Sequence, residues 1–297
     1  LGKVTMRLDK NIILLCKSIK KSIYYFFRAI FSQSSGVDKN STFLVTLTSY
    51  GLRKNFVFLT IESILHQHVR PAKIVLWLHK KDKPQGIARW ILSRQQKRGL
   101  EIVFVDNDFR SYKKLSFVPG YYPDYDFYIT ADDDVFYPTN WIDGFKSNIN
   151  DNPDAVYCYR GRAILFNDAG SLVAYPVWPL ARRKEITGNE LLPTGVSGVC
   201  YPRDSLDARV ADYEAINKLC PYADDIWYKA LTTARGYNAI LINDDSTHFT
   251  PIITGFTKGL EKINVLNDQN TQQFLNAMNY FNLDLNSFRG NYKRNDE

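Results

Sequence analysis

The 297-residue chain is long enough to bury a full core, as one large domain or two small ones, and its 45 % apolar content is that of an ordinary globular protein. Its four cysteines (Cys16, Cys158, Cys200, Cys220) show neither CxxC pairing nor metal-finger spacing, which excludes a disulfide framework or zinc finger and fits the reduced thiols of a cytosolic protein. The net charge of +7 is concentrated: residues 1–40 hold eight Lys or Arg against two Asp, so the remaining chain carries only +1 and gives no sign of a nucleic-acid-binding face.

Residues 11–31 place Ile12, Leu15, Ile19, Ile23, Phe26 and Ile30 at helical spacing, with Lys10, Lys17, Lys21 and Arg28 on another face. Lys17, Lys20 and Lys21 interrupt the apolar run, which argues against a bilayer span of ~20 apolar residues and against a signal-peptide core. Two readings stay open. The helix lies in the headgroups of an anionic membrane, or it packs on the domain or a partner chain with its lysines in water. A polar linker, 32–41, then leads to a folded domain, dividing the chain into 1–40, 41–257 and a polar, Asn-rich, weakly helical tail from 258 to 297.

Within the domain, strands are expected at 43–48, 73–78 and 101–105, with helices at 53–67 and 86–98 between them. A fourth strand runs from Phe127 into Asp132-Asp133-Asp134. Strands alternating with helices at this interval predict a mostly parallel, right-handed βαβ sheet. A short helix at 141–149 buries Trp141, Phe145 and Ile149, and strand-like runs follow at 155–160 and 162–166. The irregular stretch 167–194 reads as a lid or binding loop. Gly195 and Gly198, in a β-prone run, mark a backbone that approaches a ligand or bends sharply. A helix starts near Tyr222 with Asp224-Asp225 in its first turn, and a strand at 238–242 leads to His248.

The acidic residues carry the chemistry. Three adjacent carboxylates repel one another unless solvent or a cation neutralises them. Open α/β sheets bind ligands in the crevice beyond their strand ends, where this triplet falls. The plain alternative is a solvated acidic turn. Asp224 and Asp225 likewise have a plain reading as helix-capping, dipole-complementing carboxylates, and His248 alone reads as an ordinary loop histidine.

Taken in order over roughly residues 43–250, these segments resemble a glycosyltransferase of the GT-A fold, of the small bacterial type that builds capsule or lipopolysaccharide glycans. The resemblance rests on Val45-Thr46-Leu47-Thr48-Ser49-Tyr50 with Arg53, on Lys113-Lys114-Leu115 after Asp108, and on Asp132-Asp133-Asp134 in the place of the DXD motif. It continues through the glycine loop Gly195–Pro202, the acidic pair Asp224-Asp225 and the late His248. The chain departs from the pattern at Gly51, where relatives often carry proline, at Ser111, where glycine or proline is expected, and in having Asp-Asp where many have Glu-Asp.

The resemblance implies a Rossmann-like, mostly parallel sheet flanked by helices, preceded by the amphipathic N-terminal helix. It implies transfer of a sugar from a nucleoside diphosphate donor, UDP by default, to a glycan or lipid-linked acceptor in surface polysaccharide synthesis. Thr48, Ser49, Arg53, Lys114, Asp132 and Asp133 would hold the donor. Asp134, Asp132 and His248 would hold Mn²⁺ or Mg²⁺, the imidazole favouring Mn²⁺. Gly198 and Asp224 would flank the acceptor, and Asp225 would be the general base of an inverting displacement. The implied location is the cytoplasm, peripherally on the inner face of the membrane. The competing classes are a non-catalytic carbohydrate-binding or scaffold subunit and a sugar nucleotidyltransferase.

Overall fold

Alternation within the strands decides the architecture. In β1 (Phe43–Thr48), Leu44 joins one buried cluster while Phe43, Val45 and Leu47 join a second. β2 (Lys73–His79) divides in the same way, Val75 and Trp77 against Ile74, Leu76 and Leu78. Strands that are apolar on both faces need cover on both sides, which a parallel sheet between helical layers provides.

The computed structural model describes residues 2–186, 188–253 and 269–290. Its seven-stranded sheet joins β1, β2, β3 (Leu100–Val105), β4 (Phe127–Ala131), β6 (Ala155–Cys158), β9 (Val199–Pro202) and β10 (Asn238–Leu241) in the order β10-β6-β9-β4-β1-β2-β3. All neighbours pair in parallel except β9, which is antiparallel to both β4 and β6. Two small ribbons pair β5 (Val135–Phe136) with β11 (Thr250–Pro251) and β7 (Gly161–Ala163) with β8 (Leu191–Pro193).

One face of the sheet is covered by α1 (Gly2–Phe31), α2 (Val57–Ile64), α3 (Gly86–Gln96) and α6 (Trp141–Asp151). The other is covered by α4 (Lys113–Ser116), α5 (Val118–Tyr121), α7 (Tyr213–Leu219), α8 (Asp224–Ala234) and α9 (Gln269–Tyr280). The chain builds outward from β1 through β2 to β3, then returns to lay β4 on the other side of β1. That reversal opens a crevice at the C-terminal ends of β1 and β4, the place where such sheets take ligands.

The four leading strands fall where the apolar runs predict them. The expected helix 53–67 splits into a 3₁₀ turn, Arg53–Asn55, and α2, because Phe56 between them leaves helical geometry (φ −121°, ψ −10°). The stretch 167–194 is less irregular than expected: it contributes β8 and two 3₁₀ turns, Tyr175–Val177 and Arg183–Glu185. Of the tail, residues 258–268 and 291–297 lie outside the described residues, while Phe274, Ala277, Met278, Phe281 and Phe288 are buried in the same cluster as α8. All four cysteines are free thiols, Cys16 exposed and the others buried.

α1 is docked on the domain. Tyr25 stacks on Phe136 with ring centroids 5.3 Å apart. Fully buried Glu62 of α2 accepts two bonds from Arg98, at 2.7 and 2.9 Å, and lies 3.6 Å from Arg28 of α1. Arg98 also donates to the Ser34 carbonyl at 2.9 Å, so one buried ion cluster pins helix and linker together. Among the described residues, no helix is long and apolar enough to cross a membrane.

Candidate active site

Register places the first half of the site. Leu47 of β1 pairs with Ala131 of β4, so the residues just beyond each strand end stand side by side. There the Ser49 hydroxyl donates to Asp133 at 2.5 Å, and Arg53 reaches Asp133 at 3.3 Å and Asp134 at 3.0 Å. The turn that carries the triplet is held by polar side chains of α2: Thr60 donates to the Asp133 carbonyl and Ser63 accepts the Tyr137 N–H. The Tyr137 hydroxyl accepts the Asp132 N–H at 2.8 Å. Burial pushes the Asp133 carboxyl above its ordinary value, opposed by Ser49 and Arg53. Burial and the Asp132 charge push Asp134 up to about 7 against the pull of Arg53.

Lys114 builds the second half. Buried Thr46 in β1 accepts the Trp77 indole N–H and donates to the Lys114 carbonyl at 2.6 Å, fixing α4 over the strand ends. Lys114 Nζ then lies 3.0 Å from Asp224 and 3.4 Å from Asp132. Burial opposes its charge, but Asp224, Asp132 and Asp225 together hold its pKa well above the usual lysine value. α4 and α8 are tied by Tyr228, whose hydroxyl donates to the Tyr112 carbonyl at 3.1 Å and contacts Ser116 at 3.2 Å. Ser111 completes the join by donating to Asp224 at 2.9 Å.

The antiparallel strand β9 brings in the glycine loop, since Val199 pairs with Thr130 just before the triplet. The Gly195 N–H donates to Asp225 at 3.0 Å. A Cβ on Gly195 would stand 2.6 Å from Lys114 Nζ and 3.2 Å from the Asp225 carboxylate, so only glycine lets the loop approach both. Asp225 is pushed up to about 7, first by burial and then by the Asp224 charge, against the pull of Lys114 and the Gly195 N–H. A carboxylate tuned to that value accepts a proton near neutral pH without binding it too tightly.

The other expected residues take different places. Thr48 bonds the Trp77 carbonyl at 2.9 Å and braces β1 against β2. Gly198 adopts φ +98°, and a Cβ there would meet the Trp141 ring at 2.5 Å, so its role is to shape the loop. Lys113 turns away to Asp108, leaving Lys114 as the lysine of the crevice. His248 is exposed, between Thr247, which bonds the Tyr159 carbonyl, and Phe249, which bonds Ser197 of the glycine loop. No group of three or more His, Cys, Asp or Glu side chains is arranged to hold a metal among the described residues. Tyr137, which accepts the Asp132 N–H, is a site group that spacing alone does not single out, and Ser111, notable in the sequence only as a departure from the family pattern, holds Asp224.

The donor set nevertheless fits a hard divalent cation. Among the described residues, the ion pairs of Asp132, Asp133, Asp134 and Asp224 are made with Arg53 and Lys114, and burial together with the Asp132 charge raises Asp134. Mg²⁺ and comparable ions are commonly held by one or two carboxylates plus substrate phosphates. Asp132 and Asp134, both partly exposed, offer those two, whereas Asp133 is committed to Ser49 and Arg53.

No protein-family model matches the sequence, and no curated protein matches it. Solved structures resemble it at low identity. A mannosyltransferase of Pyrobaculum calidifontis, solved with GDP-Man and Mn²⁺, superposes with a TM-score of 0.51 over 90 % of this chain and 74 % of that one, at 14 % identity. TarS of S. aureus (residues 1–349) matches 80 % of this chain and 72 % of its own, with a TM-score of 0.48 and 12 % identity. A 4-diphosphocytidyl-2C-methyl-D-erythritol synthase from Anaerococcus prevotii matches 79 % of this chain and all of its own, with a TM-score of 0.42 and 13 % identity. The fold of the chain is the GT-A fold.

Proposed function

We propose that this chain is a metal-dependent glycosyltransferase that moves a sugar from a nucleoside diphosphate donor to a hydroxyl acceptor, with inversion at the anomeric carbon. The observation that carries the reading is the convergence, across one crevice, of a carboxylate triplet and a second carboxylate held near neutrality, Asp225, with Lys114 between them. A nucleotidyl-transferring or purely binding role has no use for a tuned base opposite the triplet.

Ser49 and Arg53 at the end of β1 hold the base and ribose side of the donor, with Asp133 orienting both through its bonds to them. Asp132 and Asp134 would hold Mn²⁺ or Mg²⁺ together with the donor phosphates. When bound, the ion neutralises charge developing on the departing diphosphate. Lys114 adds a fixed positive charge beside Asp132. Asp225, aimed by the Gly195 N–H, takes the proton of the acceptor hydroxyl as that oxygen attacks, while Asp224 is held by Ser111 and Lys114 at the acceptor side. His248, on the loop that returns from β10 to the glycine loop, is the further metal ligand this reading assigns.

UDP is the first donor nucleotide to test, and a lipid-linked or glycan acceptor of a surface polysaccharide is the acceptor class this reading favours. The basic, apolar α1 supports attachment to an anionic membrane through residues 10–31, on the inner, cytoplasmic face. A panel of nucleotide sugars with Mn²⁺ and a simple acceptor, read by released nucleoside diphosphate and by NMR of the product anomer, tests the proposal. Inversion is expected. Retention would remove Asp225 as the base, and no release from any donor would overturn the activity.

A further inference from the structure

The docked position of α1 leaves most of its apolar stripe in solvent. A helix on a soluble domain turns its apolar stripe inward. Here the buried positions are Ser18, Tyr25 and Ala29, with Phe26 and Ile30 of the stripe partly buried against the core, while Ile12, Leu15, Ile19 and Ile23 are exposed. The exposed stripe does not end with the helix. Ile23 and Phe27 line a groove of about 790 Å³ with Phe56, Ile87 of α3 and Ile253, and each of these five side chains is between 44 % and 58 % exposed. Trp90, one turn beyond Ile87, is exposed on the same face of α3.

We propose that this face is one composite platform that docks on an anionic bilayer, with α3 and the groove inserting alongside α1. The inference deepens the membrane role proposed for residues 10–31 and rests on it. Charge chooses the occupant: besides Arg28, which pairs with Glu62, α1 from residue 11 onward and α3 carry Lys17, Lys20, Lys21, Arg89 and Arg94 and no Asp or Glu of their own. Two copies of so basic a face repel, whereas apolar side chains ringed by cations suit acyl chains beneath anionic headgroups. The Glu62–Arg98–Arg28 cluster makes the platform rigid with the domain.

The platform also abuts the crevice. Arg53, which contacts Asp133 and Asp134, and Asn55, which lines the groove, belong to the same 3₁₀ turn. On the other wall, the Ile252 N–H bonds the Asp134 carbonyl at 2.7 Å. Docking through the groove therefore sets the mouth of the crevice at headgroup level, where a lipid-linked hydroxyl would be delivered.

The test is co-sedimentation of the full chain with phosphatidylcholine vesicles and with vesicles containing three parts in ten phosphatidylglycerol. Ile87→Glu and Trp90→Glu on α3 and Ile19→Glu on α1 are compared, with melting curves as the control for folding. The expected result is at least a tenfold loss of binding for the α3 variants as well as for Ile19→Glu, with unchanged melting. Loss confined to Ile19→Glu would overturn the composite platform while leaving α1 as a membrane helix. No binding by the wild type would overturn both and leave the face to a protein partner. Equal binding to neutral vesicles would overturn the electrostatic choice of occupant.

Discussion

Replacing Asp225 by Asn removes one negative charge and one proton acceptor while keeping the side-chain volume and the oxygen that receives the Gly195 N–H. Folding moves the Asp225 pKa from 3.8 to about 7. At ~1.4 kcal/mol per pH unit, ionised Asp225 weakens the folded state by about 4 kcal/mol. That is an upper bound, because the shift is shared with the adjoining Asp224 and Lys114 and does not belong to Asp225 alone. The folded state prefers the neutral acid, so this stability is present below the unfolded value and lost as pH rises through the window from 3.8 to about 7. Asn keeps the neutral state at every pH. Part of the gain is returned because Lys114 loses one of three carboxylate neighbours. A net gain of about 1–3 kcal/mol at pH 8 remains, or roughly 2–8 °C in Tm.

The same substitution removes the base, so turnover falls ~10²–10⁴-fold. Below pH 7 the wild-type rate should rise about tenfold per pH unit and then level off, and the variant should lack that limb. Thermal melts at pH 5 and pH 8, set beside nucleoside diphosphate release at saturating donor, read both effects. Near-normal turnover, or a variant less stable than wild type at pH 8, would refute the reasoning and make Asp225 a helix-capping carboxylate.

Lys114→Met leaves Asp132, Asp224 and Asp225 without their shared cation, and a cost of ~3–5 kcal/mol in denaturant unfolding is expected. An unchanged midpoint would contradict the network. Gly195→Ala forces a methyl to within 2.6 Å of Lys114 Nζ. Turnover should fall ~10–100-fold by misplacing base and lysine, with a stability loss of only ~1–3 kcal/mol in the melt. Glu62→Ala strands Arg98 in a buried site and frees Arg28, so unfolding should cost ~3–5 kcal/mol less work and trypsin should cut the 32–41 linker sooner.

Much of this arrangement is legible in the residues. β1, β2 and β4 are apolar on both faces, so their runs announce a covered sheet. A strand that ends in three carboxylates marks the ligand end of that sheet. Spacing could not tell which lysine of Lys113-Lys114 faces the crevice, because that depends on a hydrogen bond from Thr46, sixty-eight positions away. Nor could it show that α1 docks with Ile12, Leu15, Ile19 and Ile23 left exposed, since its seat is set by Glu62 and Phe136 on other elements. The place of His248 is not legible either, since it lies on a loop whose position relative to the triplet is set by β5–β11 pairing and the glycine loop, not by local sequence.

The central claim is that Asp132 and Asp134 join a divalent cation and a nucleoside diphosphate at the end of β4. Melting temperature with UDP and GDP, each with and without Mn²⁺, tests it most directly, because a ligand present at a hundred times its Kd stabilises by ~2.7 kcal/mol. A rise that needs nucleotide and Mn²⁺ together, and that disappears in Asp134→Ala, is the predicted result. No rise with any pairing, or a rise that survives in Asp134→Ala, would contradict it.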